Sequence, residues 1–231
     1  MTTIDVSTPD GQMPAHLWLP AGGSGPGILL VQEIFGVSDY IRSRASDLAA
    51  AGYVVLAPEL YWRLEQQRAD ASSEAGLQQA MGLMSQLDWS TTVADSVAAL
   101  ERLAGLDEVR GLPGVMGFCF GGGVAFNVAA VAEPSVLVSY YGSALPQLLD
   151  LVPKVACPSL HHFGTADDYI PIEAVQAISA AVTAGSPPAE VELHEGANHA
   201  FDNPDFAFHH PQASERAWQQ TLTFLRQELP A

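Results

Sequence analysis

Three short segments, far apart along the chain, carry residue types that could do chemistry together. The first is G-F-C-F-G-G-G (Gly117–Gly123), where a cysteine, Cys119, is hemmed in by glycines. An apolar run precedes it (Leu112–Phe118) and an alanine-rich apolar run follows it (Val124–Ala132), so it reads as a sharp turn from a buried strand into a helix. Such a turn strains the backbone at its tip and tolerates only small flanking residues. It also sets the thiol at a helix N-terminus, where free N–H groups favour thiolate. The second segment holds Asp167 and Asp168, and the third holds His199. A thiol with a reference pKa of ~8.5 is a weak nucleophile at neutral pH until a base takes its proton. An imidazole can be that base, and a carboxylate can hold its tautomer and stabilise its cation. The plainer reading of the same residues is a glycine loop around an inert buried cysteine, a surface histidine, and an aspartate capping the helix that starts at Ile172. Asp168 is the better capping candidate of the two.

The elements that must position these groups alternate between strand and helix. Thr2–Thr8 and Pro14–Leu19, separated by the turn Pro9-Asp10-Gly11, form an antiparallel hairpin at a sheet edge. Ile28–Val31 and Tyr53–Ala57 are short, wholly apolar runs, as in strands buried on both faces of a parallel sheet. Between them, Ser38 or Asp39 caps a helix with Ile41, Ala45, Leu48 and Ala49 on one face and Gly52 at its end. Tyr61–Ala71 is polar and irregular. Ser72–Gln86 and Asp88–Ala104 read as helices, the latter closed by Gly105. Beyond Cys119, strands are expected at Val136–Tyr141, Pro158–Phe163 and Val191–His194, and helices at Ile172–Ala184 and Ala213–Leu229, the last with Trp218, Leu222 and Leu225 inward. This order predicts an α/β fold with a mostly parallel central sheet flanked by helices, in one domain over residues 1–231. Reactive groups then gather at the carboxyl ends of strands. Cys119, the two aspartates and His199 each follow such an end.

Composition narrows the function. The 231 residues carry 26 acidic and 9 basic side chains, a formal net charge of −17. That excess opposes binding to nucleic acid or to anionic membranes. Two cysteines in separate apolar contexts make no disulfide framework. The first residues have neither the basic start nor the apolar core of a signal peptide, and no apolar run approaches ~20 residues. A cytoplasmic protein is expected, acting as a monomer or weak oligomer. His161, His162, His194, His209 and His210 show no zinc-site spacing, and no phosphate loop or dinucleotide fingerprint is present. No metal and no cofactor are expected.

The order nucleophile, acid, histidine around a G-x-C-x-G turn is that of α/β-hydrolases. More specifically, the chain resembles the dienelactone hydrolases. The turn G-F-C-F-G-G, Q-E-I-F-G-V (Gln32–Val37), P-E-L-Y-W-R (Pro58–Arg63), Y-Y-G (Tyr140–Gly142), G-T-A-D-D-Y-I-P (Gly164–Pro171) and A-N-H-A-F (Ala197–Phe201) carry the resemblance in the right order over nearly the whole chain. It implies an α/β-hydrolase fold and hydrolysis of an ester or lactone through a thioester on Cys119, with His199 as base. It makes Asp167 the acid, because the family places that residue four before the proline that is here Pro171. It makes Glu33 the glutamate that holds the resting cysteine as an unreactive thiol until substrate arrives, which guards the sulfur from oxidation. Topology then assigns the oxyanion donors to the amides of Phe120 and Ile34. Phe35 and Tyr141 fall in segments that line the family's pocket.

The resemblance breaks at the substrate clamp. Two arginines that grip a substrate carboxylate in the family align with Leu77 and Asn203, and Ala200 replaces a hydroxyl residue beside the histidine. Arg63 and Arg68 are the nearest substitutes in sequence. A neutral, or differently gripped, ester or lactone is therefore expected. The competing function is a redox- or electrophile-sensing binding protein that uses Cys119 without turnover. It would show reversible oxidation of Cys119 and no ester hydrolysis.

Overall fold

The apolar runs form the strands of one eight-stranded sheet. In the computed structural model, which describes residues 1–231, these are β1 (Thr2–Thr8), β2 (Gly11–Trp18), β3 (Gly27–Val31), β4 (Val54–Pro58), β5 (Gly114–Phe118), β6 (Leu137–Tyr140), β7 (Ser159–Gly164) and β8 (Glu190–His194). Their spatial order is β1-β2-β4-β3-β5-β6-β7-β8. β1 and β2 form the antiparallel hairpin at one edge, β2 meets β4 antiparallel, and every other pair is parallel. β3, β4, β5, β6 and β7 are buried along their whole length. That is why they read as continuous apolar runs rather than alternating ones. Edge strand β8 is only partly buried. The expected α/β architecture is therefore the observed one.

Six helices flank the sheet: α1 (Asp39–Ala50), α2 (Glu74–Met84), α3 (Trp89–Ala104), α4 (Phe120–Ala132), α5 (Ile172–Thr183) and α6 (Pro211–Glu228). The caps follow the sequence at three of them. Ser38, Ser73 and Asp88 accept the Ile41, Gly76 and Thr91 N–H groups at the starts of α1, α2 and α3. Gly52, just past α1, has φ of 107°, the left-handed region glycine enters without strain. None of the helices is long and apolar enough to cross a membrane.

Three local expectations need correction. α4 begins at Phe120, not Val124, so the glycine triplet is its first turn rather than a loop before it. Asp168 does not cap α5. Pro171 occupies that position without a side-chain bond, and the Asp168 carboxylate accepts instead from Asn198 Nδ2 at 2.6 Å. α6 turns Ala217, Thr221, Phe224 and Leu225 inward, while Trp218 and Leu222 are only half-buried. The Trp218 ring packs at its edge of the core under the Arg44 guanidinium, 4.4 Å from its centroid, a use of indole that a hydrophobic stripe does not reveal.

Candidate active site

β5 is the central strand, and its carboxyl end carries Cys119 in a tight turn. Cys119 has φ 55° and ψ −119°, a region that costs a non-glycine residue of order 1–3 kcal/mol. The turn holds because its neighbours have no side chains. A Cβ on Gly117 would fall onto the Gly121 carbonyl, and one on Gly121 onto the carbonyls of Val31 and Gln32. The Cys119 N–H donates to the Tyr140 carbonyl at 3.0 Å, and its own carbonyl accepts from Gly122 and Ser143 at 3.0 and 3.2 Å. Two more non-glycine residues with positive φ stand at neighbouring strand ends, Tyr141 (36°) and Ala200 (55°). Backbone strain is thus concentrated where the three loops converge.

The convergence brings sulfur, imidazole and carboxylate into one line. His199 Nε2 lies 3.1 Å from Cys119 Sγ, and His199 Nδ1 lies 2.8 Å from Asp167 Oδ2. Asp167 is fixed by its other oxygen, which accepts the Tyr169 and Ile170 N–H groups at 2.8 and 2.9 Å. The imidazole is held between two phenol rings, Tyr141 with its centroid at 5.1 Å and Tyr169 at 5.0 Å. Burial opposes the imidazolium. The charged form of Cys119 and then Asp167 outweigh that opposition, so the His199 pKa is raised above its ordinary range. This arrangement can transfer a proton from sulfur to ring nitrogen and stabilise the resulting ion pair.

Glu33, at the end of β3, is buried beside them. Its Oε2 accepts from Asn203 Nδ2 at 2.8 Å, and its Oε1 has no partner within the protein. Burial raises its pKa from 4.5 to about 8, against the lowering pulls of the Asn203 bond and the His199 charge. Cys119 Sγ is bonded to His199 and not to Glu33. The loop that carries Glu33 is braced from behind. Tyr61 Oη donates to the Ile34 carbonyl at 2.8 Å, and Gln32 Oε1 accepts the Leu60 N–H at 3.1 Å. The Ile34 N–H donates to nothing in the protein. The Phe120 N–H opens α4, where the first turn has no intrahelical acceptors.

These groups open into a cavity of about 110 Å³. Glu33, Cys119 and His199 form its floor, and Ile34, Phe35, Leu77, Met81 and Phe206 are among its walls. Phe35 and Leu77 thus lie where the sequence places them. Tyr141 does not line the cavity. It is fully buried beneath His199, with its hydroxyl 3.4 Å from that of Tyr40. No arginine or lysine lines the cavity. Arg63 is committed to Asp95 and Asp10, and Arg68 to Glu59, so neither replaces a carboxylate clamp. His161 and His162 both stay away from it. His162 bonds His194 and Thr221 inside the core, and His161 packs against Phe126.

Sequence reasoning missed two features. Met81 and Met84 of α2 reach the catalytic cavity, although in sequence they read as ordinary helix residues. Behind the site, Asp202 is fully buried and accepts from Tyr40 at 2.5 Å, from Arg44 at 2.6 and 2.8 Å, and from Ser214 at 2.6 Å. This network ties α1 and α6 to the His199 loop. The only signal for it was an aspartate three residues after the histidine.

An eight-stranded, mostly parallel sheet with a strained strand-to-helix turn and a histidine loop three strands away defines the α/β-hydrolase class. Within it, the family model of the dienelactone hydrolase family matches residues 13–229, and the chain belongs to that family. It is 35% identical over 228 residues to a carboxymethylenebutenolidase of Pseudomonas sp., covering 95% of this chain and 92% of the relative. It is 33% identical over 224 residues to the carboxymethylenebutenolidase of Pseudomonas putida, covering 96% and 94%. A crystal structure of a dienelactone hydrolase candidate from Klebsiella pneumoniae subsp. pneumoniae superposes with a TM-score of 0.86 at 27% identity, covering 98% of each chain. The protein is a hydrolase of dienelactone hydrolase type.

Proposed function

We propose that the protein hydrolyses a neutral ester or lactone through a thioester on Cys119. The observation that carries this reading is the unbroken chain Cys119 Sγ, His199 Nε2, His199 Nδ1, Asp167 Oδ2, with contacts of 3.1 and 2.8 Å. The Cys119 proton passes to His199, and the sulfur attacks the carbonyl carbon. The oxygen of the tetrahedral intermediate is held by the Phe120 and Ile34 N–H groups, each such donor being worth ~10²–10³ in turnover. Collapse breaks the carbon–oxygen bond, and the leaving oxygen takes the proton from His199. Water, deprotonated by the same nitrogen, then attacks the thioester, releasing the acid and restoring the thiol. A lactone, the substrate type named in its carboxymethylenebutenolidase relatives, fits the scheme because its enolate or alkoxide leaves within the same cavity.

Two features support a substrate without a carboxylate. The cavity has no cationic side chain, and Leu77 and Asn203 fall where the resemblance puts the two clamp arginines. Asn203 is committed to Glu33. Burial keeps Glu33 largely protonated at neutral pH, since its pKa is about 8. As a neutral acid it leaves the Cys119–His199 ion pair unopposed. As a carboxylate it would hold the sulfur in its thiol form, and in this way it governs the charge state of the nucleophile.

Mixing the protein with an activated ester and measuring its intact mass tests the reading. A transient acyl adduct on the parent, absent from Cys119→Ala, is expected. No hydrolysis across a broad ester panel, with reversible oxidation of Cys119 instead, would replace it with a thiol sensor.

A further inference from the structure

A second apolar chamber adjoins the catalytic cavity. It measures about 310 Å³ against about 110 Å³ for the first, and the two share Met84 and Ser143 as common wall. Leu87, Trp89, Thr92 and Phe120 complete most of its lining, with no charged side chain. Its aromatic wall is preformed. The Trp89 indole N–H donates to Asn127 Oδ1 at 2.9 Å, and the ring meets Phe120 edge-on with centroids 5.9 Å apart. Phe120 is the residue immediately after Cys119, so the chamber begins where the proposed acyl-enzyme would be held.

We propose that this chamber binds the acyl arm of the substrate, and that the catalytic cavity holds the leaving alcohol. The inference rests on the thioester reading above. The assignment of arms follows from proton transfer. The departing oxygen must lie against His199 Nε2, and His199 lines the smaller cavity but not the larger chamber. The acyl carbon, bonded to Cys119 and with its oxygen directed at the Phe120 N–H, leaves the acyl chain to run past Ser143 into the chamber. An apolar, uncharged pocket with an ordered indole wall selects an aliphatic or aromatic acyl group of medium length and rejects a second carboxylate. The protein thus takes esters whose larger, apolar part is the acid.

The test uses p-nitrophenyl acetate, butyrate and hexanoate with the parent, Leu87→Trp and Leu87→Ala. Leu87 is half-buried and lines the chamber without touching the cavity that holds Cys119 and His199. The parent should prefer hexanoate. Leu87→Trp should lower the hexanoate-to-acetate ratio of kcat/KM by ~10-fold or more, in the range that a filled hydrophobic pocket discriminates. Leu87→Ala should shift the preference to longer chains. Ratios that stay constant in both variants, while the parent hydrolyses esters, overturn this inference alone. Ratios that respond instead to the length of the alcohol in a series of alkyl acetates show the arms reversed and overturn it too. Absence of hydrolysis by the parent removes the thioester reading and this one with it.

Discussion

Replacing Glu33 by glutamine should make the protein more stable, by an amount that grows with pH. Glu33 is fully buried, with one oxygen on Asn203 and the other on nothing. Its pKa is raised from 4.5 to about 8, first by burial. As pH rises through 4.5, the unfolded chain releases this proton while the folded chain keeps it. The unfolded state then binds fewer protons, so stability falls until the folded group also ionises near pH 8. At 1.36 kcal/mol per unit, the loss is about 1 kcal/mol at pH 5 and about 4 kcal/mol at pH 8. Glutamine has the same shape, can still accept from Asn203, and does not titrate. The variant's advantage over the parent should therefore widen by about 3–4 kcal/mol between pH 5 and pH 8. For a chain of this size that corresponds to roughly 7–14 °C in melting temperature. Urea unfolding of both proteins at the two pH values measures it, and titrating groups that do not sense Glu33 cancel in the difference. An equal gap at pH 5 and pH 8 would refute the argument, because it would mean that Glu33 is ionised in the fold as readily as in water.

Asp167→Asn should leave the Tyr169 and Ile170 N–H groups bonded through its oxygen but turn an N–H₂ toward His199 Nδ1. The ring then carries its proton on Nε2, facing the sulfur, and kcat should fall by ~10²–10⁴ with little change in the urea midpoint. His161 is buried with both ring nitrogens unbonded, and burial lowers its pKa to about 4. The unfolded state takes up its proton below 6.5 and the folded state does not, so stability present at neutral pH is lost as pH falls from 6.5 to 4. His161→Leu should abolish about 3 kcal/mol of that loss, read as the parent–variant difference in urea midpoints at pH 4 and pH 7.5. Asp202→Ala takes from Arg44 its buried carboxylate and leaves it only the more exposed Asp47, and should cost about 3 kcal/mol in urea unfolding.

The fold was legible because fully buried parallel strands leave continuous apolar runs. Ile28–Val31 and Tyr53–Ala57 fall within a residue of β3 and β4. The site residues were legible for a different reason: a glycine-crowded cysteine and two polar strand ends have few structural explanations. What escaped was set by long-range packing. The glycine triplet is a loop signal by composition, yet it forms helix because Gly121 must pass against Val31 and Gln32. Met81 and Met84 become walls of the site only because the chain brings α2 beside the Glu33 and Cys119 loops. Arg63 and Arg68 looked free, and each found an acidic partner far off in sequence or behind the loop.

Two carboxylates near the histidine show what the site requires. Asp202 receives donors from a tyrosine, an arginine and a serine, so its charge is matched within the core and it can act as a girder for the His199 loop. Glu33 receives a single neutral amide and keeps one oxygen bare. A fold that supplies one acid so fully could have supplied the other, as an arginine in place of Asn203 would do. Such an arginine would ionise Glu33. Asparagine does not: it orients the carboxyl and leaves it protonated at neutral pH. The residue at 203 therefore sets the charge state of the carboxyl beside the sulfur, and an arginine there would reverse it.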